Sequence, residues 1–185
     1  MSGHSSAKIA RTGDNAFLKA VATISTISGW CASGMIVAAV AITCQMIFVR
    51  FVLNQSTVWQ TEAVIYLVIG ATLIGLPYVQ RLRGHVNVDL IPLALTMERR
   101  KLLAIGMLSL SIALVAVMLW YGFEFWHFAW DRGWKSESVW AIQLWIPYLS
   151  IPVGFALLLL QLIADLVALI LNIDPPFSIE EEGED

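Results

Sequence analysis

The chain has 185 residues, of which 58% are hydrophobic and only 14% charged, and its mean hydropathy is +0.75. A soluble domain is roughly 45 to 50% apolar and about 25% charged, and at this size it leaves about a third of its unfolded-chain surface in water. The composition therefore excludes an ordinary soluble domain and disfavours a disordered, collagenous or nucleic-acid-binding protein. The net charge of −3 is unevenly placed, because the last twelve residues hold six acidic residues and no basic one, which predicts a solvated acidic tail.

Four long stretches of the chain carry no charged residue: 20–49, 63–80, 102–123 and 138–164. A helix needs about 20 apolar residues to cross a bilayer, and the runs lack the alternation of barrel strands. We therefore expect an all-α integral membrane protein with four transmembrane helices at about 26–49, 61–80, 102–126 and 145–171. The predicted regions are an N-terminal segment, 1–24, a four-helix membrane domain, 25–172, and the acidic tail, 173–185.

The distribution of lysine and arginine predicts the orientation, since short cytoplasmic loops are enriched in both. Three lie in the N-terminal segment and five between the second and third spans, whereas the other two loops together hold three. Both termini are therefore expected inside. The apolar-to-basic segment 90–101 has Asp89 at a capping position and Pro92 in its first turn, which favours a short helix lying in the inner interface between helices 2 and 3.

Tryptophan is concentrated on the predicted outer side, where six of the eight lie between Trp120 and Trp145. Trp and Tyr favour the membrane interface because the ring is apolar while its N–H or O–H still needs a partner. The pattern predicts an outer aromatic belt of Trp126, Trp130, Trp134, Trp140 and Trp145, with docking of an external protein as the alternative.

Few residues could take part in catalysis, metal binding or a transport path. Glu62, Glu124 and Asp165 are expected near the ends of their spans, so no charge stands at mid-membrane. Glu124, His127 and Asp131 share a helical face, and a Glu–His pair there is favoured over a metal site. His85 and His127 are expected at opposite membrane faces and exclude a shared haem. Enzyme motifs are absent, so no catalytic or metal-binding residue is predicted.

The segment from Arg81 to Asp89 contains the most distinctive motif, Arg-Leu-Arg-Gly-His-Val-Asn-Val-Asp. Gly84 suits the end of a helix, the arginines can reach the headgroups of phospholipids, and His85 and Asn87 supply hydrogen bonds at a bend. The residues predict a rigid corner between a spanning helix and an interfacial one. In the fourth span, Pro152 is expected to bend the helix because it lacks an N–H group.

This motif, preceded by Trp59-Gln-Thr-Glu62 and followed by Trp145-Ile-Pro-Tyr148 and Ile151-Pro-Val-Gly154, resembles the DctQ-like small membrane subunit of tripartite ATP-independent periplasmic (TRAP) transporters. The resemblance covers about residues 20–172. It implies a non-catalytic scaffold subunit of the bacterial inner (cytoplasmic) membrane that braces a large transport subunit. It also implies a periplasmic substrate-binding protein as the third component, uptake of organic acids, and a sodium gradient whose ions bind the large subunit, with no cofactor here.

The resemblance also assigns roles to individual residues. It implies that the inner corner meets the large subunit or phospholipid headgroups and that Glu62 stands at the outer start of the second helix, close to Trp59. The alternative function is a self-sufficient, homo-oligomeric four-helix transporter of small molecules. The predicted structural and subunit-interface residues are Trp59, Glu62, Arg81, Arg83, Gly84, His85, Asn87, Asp89 and Pro152.

Overall fold

The structure is a computed structural model that describes residues 15–82, 97–171 and 173, without the side chains of residues 97, 98 and 100. The described part folds into helices α1 (Ala16–Phe51), α2 (Val58–Arg81), α3 (Met97–Asp131), α4 (Trp145–Tyr148) and α5 (Ser150–Ile170). Helices α4 and α5 form one apolar stretch, Trp145–Ile170. Four helical stretches are thus long and apolar enough to cross a membrane, which confirms the predicted all-α fold with four spans.

Helices α1 and α3 extend well beyond their predicted spans. Helix α1 begins ten residues before the expected start of its span, because Leu18 and Val21 bury their side chains against Ala164 and Ala168 of α5. Helix α3 begins at Met97 and ends at Asp131, so residues 97–101 form the start of a spanning helix. The rest of the predicted interfacial helix lies outside the described residues. At about 1.5 Å per residue, α1 is about 54 Å long and exceeds the roughly 30 Å hydrocarbon core.

The helices pack side by side in the order α1, α2, α5, α3. Helix α1 runs along α2, α2 packs on α5, and α3 packs on the other side of α5. Two glycines allow the closest approaches to α5: a Cβ at Gly154 would lie 2.7 Å from the Leu73 carbonyl oxygen of α2, and a Cβ at Gly122 of α3 would lie 2.8 Å from Ile151. Small residues at such crossings let membrane helices approach closely, so α5 is the central helix.

The fourth span is interrupted at Leu149, between α4 and α5. Pro152 is buried in the first turn of α5 and has no N–H for the carbonyl of Tyr148. Ser150 Oγ donates a hydrogen bond of 2.7 Å to the Pro147 carbonyl oxygen and thereby satisfies an acceptor at the interruption. The helix is therefore interrupted about one turn before Pro152, which is the turn that a proline disrupts.

Candidate functional site: two polar clusters at opposite ends of the helices

Two clusters of polar side chains that bond between elements lie at opposite ends of the helix layer. The start of α1, the end of α2 and the end of α5 form one end, which we term the network end. The loop between α1 and α2, the end of α3 and residues 132–144 form the other, which we term the hairpin end. The predicted topology assigns the network end to the cytoplasm and the hairpin end to the outer side.

A hydrogen-bonded network joins three helices at the network end. Ser25 Oγ of α1 donates to Gln161 Oε1 of α5 over 2.5 Å, and Gln161 Nε2 donates to Asp165 Oδ1 over 2.7 Å. Gln80 Nε2 of α2 donates to Asp165 Oδ2 over 3.0 Å. Ser25 is 1% exposed and Gln161 4% exposed. Asp165 thus accepts from amides on two different helices, and its carboxylate sets the direction in which both amides point.

Arg81 ties the end of α2 to α1 beside this network. Its Nη1 donates to the Ala22 carbonyl oxygen over 2.8 Å and to Thr26 Oγ1. The Ala22 carbonyl and Thr26 Oγ1 also share a hydrogen bond, since a Thr hydroxyl in a helix bonds back to the carbonyl four residues earlier. The predicted anchoring role of Arg81 therefore includes a helix–helix contact within the subunit.

Asp165 and Arg81 were recognisable as candidates in the sequence, whereas Ser25, Gln80 and Gln161 were not. Gln161 and Asp165 are spaced four residues apart, which places them on one helix face. Ser25 is one of several hydroxyl residues in its stretch of α1 and Gln80 directly precedes Arg81, so only the packing of the helices shows which partner each one meets. The predicted corner residues Arg83, Gly84, His85, Asn87 and Asp89 lie outside the described residues.

At the hairpin end, residues 132–144 fold into a short antiparallel hairpin. The Ser136 N–H donates to the Ile142 carbonyl oxygen, and the Leu144 N–H donates to the Trp134 carbonyl oxygen. The N···O distance is 2.9 Å in both hydrogen bonds. Gly133 has a φ of 57° and Ala141 a φ of 47°, so both turns pass through the left-handed region. That region is natural for glycine but uncommon for alanine. The hairpin is therefore a defined element rather than an unstructured connection.

Glu62 and Trp59 hold this hairpin against α2. Ser136 Oγ donates to Glu62 Oε1 over 2.7 Å, while Oε2 of Glu62 is buried and receives no hydrogen bond from the described residues. The ring of Trp59 meets that of Trp140 edge-on, with centroids 6.2 Å apart. These contacts place the predicted Glu62 and Trp59 together, one turn apart on α2, and give both a common role in positioning the hairpin.

The other predicted belt tryptophans also lie at the hairpin end. Trp126 Nε1 donates to the Trp145 carbonyl over 3.0 Å, and the Trp130 and Trp145 rings meet at 4.4 Å. Trp134 packs edge-on against Phe128 at 5.1 Å. The aromatic side chains thus link the end of α3 to the hairpin and α4 as well as facing outward. The membrane belt itself stays a prediction.

The predicted Glu124–His127 pair is wrong in its partner. His127 Nδ1 lies 3.1 Å from Asp131 Oδ2, with both side chains more than half exposed. The spacing of four residues brings Asp131 directly above His127 on the helix face. Among the described residues, no three His, Cys, Asp or Glu side chains lie close enough together to hold a metal ion.

We expect Glu62→Ala to loosen the hairpin while leaving the helices folded, because it removes the acceptor of Ser136 at a cost of about 1 kcal/mol. Hydrogen exchange followed by mass spectrometry should show faster exchange of the amides of Ser136 and Leu144. Glu137→Ala removes a neighbouring exposed acid of the hairpin and serves as the control. Equal exchange in both variants would show that Glu62 does not hold the hairpin.

The fold and the two clusters define a small polytopic helical membrane protein in which hydrogen bonds between polar side chains join separate elements at both ends. The family model for the DctQ component of tripartite ATP-independent periplasmic transporters matches residues 39–172. The chain belongs to this family of transporter components.

A curated relative of the chain is the C4-dicarboxylate TRAP transporter small permease protein DctQ of Vibrio cholerae serotype O1. The two are 22% identical over 133 residues, which cover 60% of this chain and 57% of the relative. The match thus spans just over half the length of that relative. Together the family and the four spans make the chain a multi-pass membrane protein and a small subunit of a TRAP transporter.

Proposed function

We propose that the chain is a non-catalytic scaffold subunit of a secondary, sodium-driven uptake system for organic acids. It braces a large transport subunit in the bacterial inner membrane, next to which a periplasmic binding protein delivers the substrate. The family assignment supports the transport complex, and the name of the Vibrio cholerae relative, a C4-dicarboxylate transporter component, supports an organic acid as substrate. Sodium binds in the large subunit in this proposal, and the small subunit carries no cofactor.

The network end is the structural observation that supports a scaffold role. Polar groups inside a membrane are costly and mark transport paths when they face a water-filled cavity. Here Ser25, Gln80, Gln161 and Asp165 bond to one another across three helices. Their hydrogen-bonding groups therefore serve helix packing, which suits a rigid brace better than the alternative of a self-sufficient homo-oligomeric transporter.

Uptake by proteoliposomes tests the proposal. Vesicles carrying the large subunit, this chain and the binding protein should accumulate substrate when a sodium gradient is applied, and omission of this chain should abolish uptake. The chain alone should transport nothing. Transport by the chain without partners would support the homo-oligomeric alternative, and unchanged uptake in its absence would contradict the bracing role.

The proposed orientation predicts that the hairpin is accessible from the periplasm. Val139, at the hairpin tip, is 94% exposed. In a background with Cys31→Ser and Cys44→Ser, Val139→Cys should react with a membrane-impermeant maleimide in cells whose outer membrane alone is permeabilised. Ser5→Cys in the N-terminal segment should react only after the inner membrane is opened. The reverse pattern would contradict the N-in, C-in topology.

A further inference from the structure

An apolar cleft of about 480 Å³ lies between the helices at the hairpin end. Its floor is α2, from Ala63 to Ile74, and its sides are Met35 of α1 and the stretch from Ile146 to Val153. Trp140 and Ile142 of the hairpin also line it. At the network end, by contrast, α1 and α5 are in direct contact through Ser25 and Gln161. The cleft is therefore the space that remains where α1 and the fourth span are no longer joined.

The dimensions of the cleft match one half of a bilayer. Ala63 and Ile74 are eleven residues apart, which is about 16 Å along a helix, whereas one leaflet of a roughly 30 Å hydrocarbon core is about 15 Å deep. Ile146 and Val153 are 50% and 38% exposed, so the cleft is open along its side. Among the described residues that line it, none is charged. An acyl chain that enters sideways from the bilayer fits the length of the cleft, its apolar lining and its open side.

The polar groups beside the hairpin favour a particular headgroup. Glu62 directly precedes Ala63 of the cleft floor, and the hydroxyl of Tyr66, which lines the cleft, neighbours both Glu62 and Ser136. Glu62 still has acceptor capacity, because Oε2 receives no hydrogen bond from the described residues. A buried acceptor without a donor costs about 1 to 3 kcal/mol, so a ligand that supplies a donor there gains affinity.

The backbone pairing of the hairpin indicates that Lys135 faces away from this cluster. Ser136 is paired with Ile142, which lines the cleft, whereas Lys135 is paired with Gln143. Successive side chains of a strand point to opposite faces, so Lys135 lies on the face away from the cleft. The charge next to the cleft is thus acidic, which complements an ammonium group and disfavours an anionic headgroup.

We propose that the cleft binds one phospholipid of the leaflet at the hairpin end, with an acyl chain between α1 and the fourth span and an ethanolamine ammonium at Glu62. At the network end α1 and the fourth span are joined by hydrogen bonds, and at the hairpin end the lipid fills the space between them. The lipid thereby continues the packing of the three helices as far as the hairpin. This site is independent of the transport role proposed above, because it is formed by this chain alone.

Native mass spectrometry of the purified full chain tests this site. After exchange into bilayers of equal phosphatidylethanolamine and phosphatidylglycerol, the chain should retain a single phosphatidylethanolamine. Val153→Trp and Ala63→Phe fill the cleft from opposite sides and should each reduce retention about tenfold, or ~1.4 kcal/mol. Glu62→Gln should retain lipid but lose the preference for phosphatidylethanolamine. Leu114→Trp, on an exposed position of α3 outside the cleft, is the control.

Three results would overturn the lipid site. They are retention without preference in the unmodified chain, equal losses in the Leu114→Trp control, and efficient crosslinking of Val153→Cys to a protein partner in native membranes. The last result would show that a protein partner, rather than a lipid, covers the cleft. Since the lipid count is measured on the isolated chain, its failure leaves the transport role untouched, and failed uptake leaves the lipid site untouched.

Discussion

Replacing Asp165 by leucine is expected to lower the stability of the isolated subunit by about 1 to 3 kcal/mol and to abolish its support of transport. The substitution removes the acceptor of two amides, Gln80 Nε2 and Gln161 Nε2. A buried donor left without a partner costs about 1 to 3 kcal/mol, although hydrogen bonds between membrane helices average nearer 0.6 kcal/mol. Unfolding by denaturing detergent, followed by tryptophan fluorescence, measures the change.

Two further variants separate the network from a general effect of polarity. Asp165→Asn keeps the shape of the side chain but replaces one of its two acceptor oxygens by a donor NH2 group, so its stability should lie between those of the unmodified chain and Asp165→Leu. Gln80→Leu should add little destabilisation to Asp165→Leu, because the two residues share a bond. Thr72→Val removes an exposed hydroxyl that bonds only its own helix and is the control. Additive losses from Gln80→Leu and Asp165→Leu would contradict the network.

Gly154→Ala is expected to separate α5 from α2 and to destabilise the subunit by about 1 to 3 kcal/mol, the usual cost of overpacking. The added Cβ would lie 2.7 Å from the carbonyl oxygen and 2.8 Å from the carbonyl carbon of Leu73. These are backbone atoms and cannot rotate away as a side chain does, so the helices themselves must move. The same detergent unfolding experiment measures the loss.

Gly34→Ala is the matched control for Gly154→Ala. Gly34 also lies within a spanning helix, and a Cβ there would meet nothing within 4 Å. Alanine is the better helix former, so this variant should be as stable as the unmodified chain. Equal stability of the Gly34→Ala and Gly154→Ala variants would show that the α2–α5 crossing tolerates a wider spacing.

The sequence was sufficient for the four spans because hydrocarbon requires long apolar helices, and runs without charge reveal them directly. The helix ends were less predictable. Leu18 and Val21 belong to α1 because α5 offers Ala164 and Ala168 as partners, and that partnership is a tertiary contact. The hairpin was not predicted, since its two arms pair over only a few residues and it is held by the contact of Ser136 with Glu62, which is 74 residues away in the sequence.

Among the candidate residues, the sequence best predicted the positions of charged and aromatic residues that favour the end of a membrane helix. Glu62, Trp59 and the tryptophans do meet at the hairpin end. Their hydrogen-bond partners could not be predicted from the sequence, because Ser136 is 74 residues from Glu62 and Gln80 is 85 residues from Asp165. His127 was assigned to the acid three residues before it, but Asp131, four residues after it, has the better position on the helix.

Affinity purification of the tagged chain from its native membrane in a mild detergent tests the scaffold role most directly. We predict that a large polytopic membrane protein co-purifies in a near one-to-one ratio and that Asp165→Leu lowers its yield while Thr72→Val does not. Mass spectrometry identifies the partner and measures the ratio. A homo-oligomer that persists across detergents, with no large membrane protein bound, would contradict the assignment of this chain as a brace.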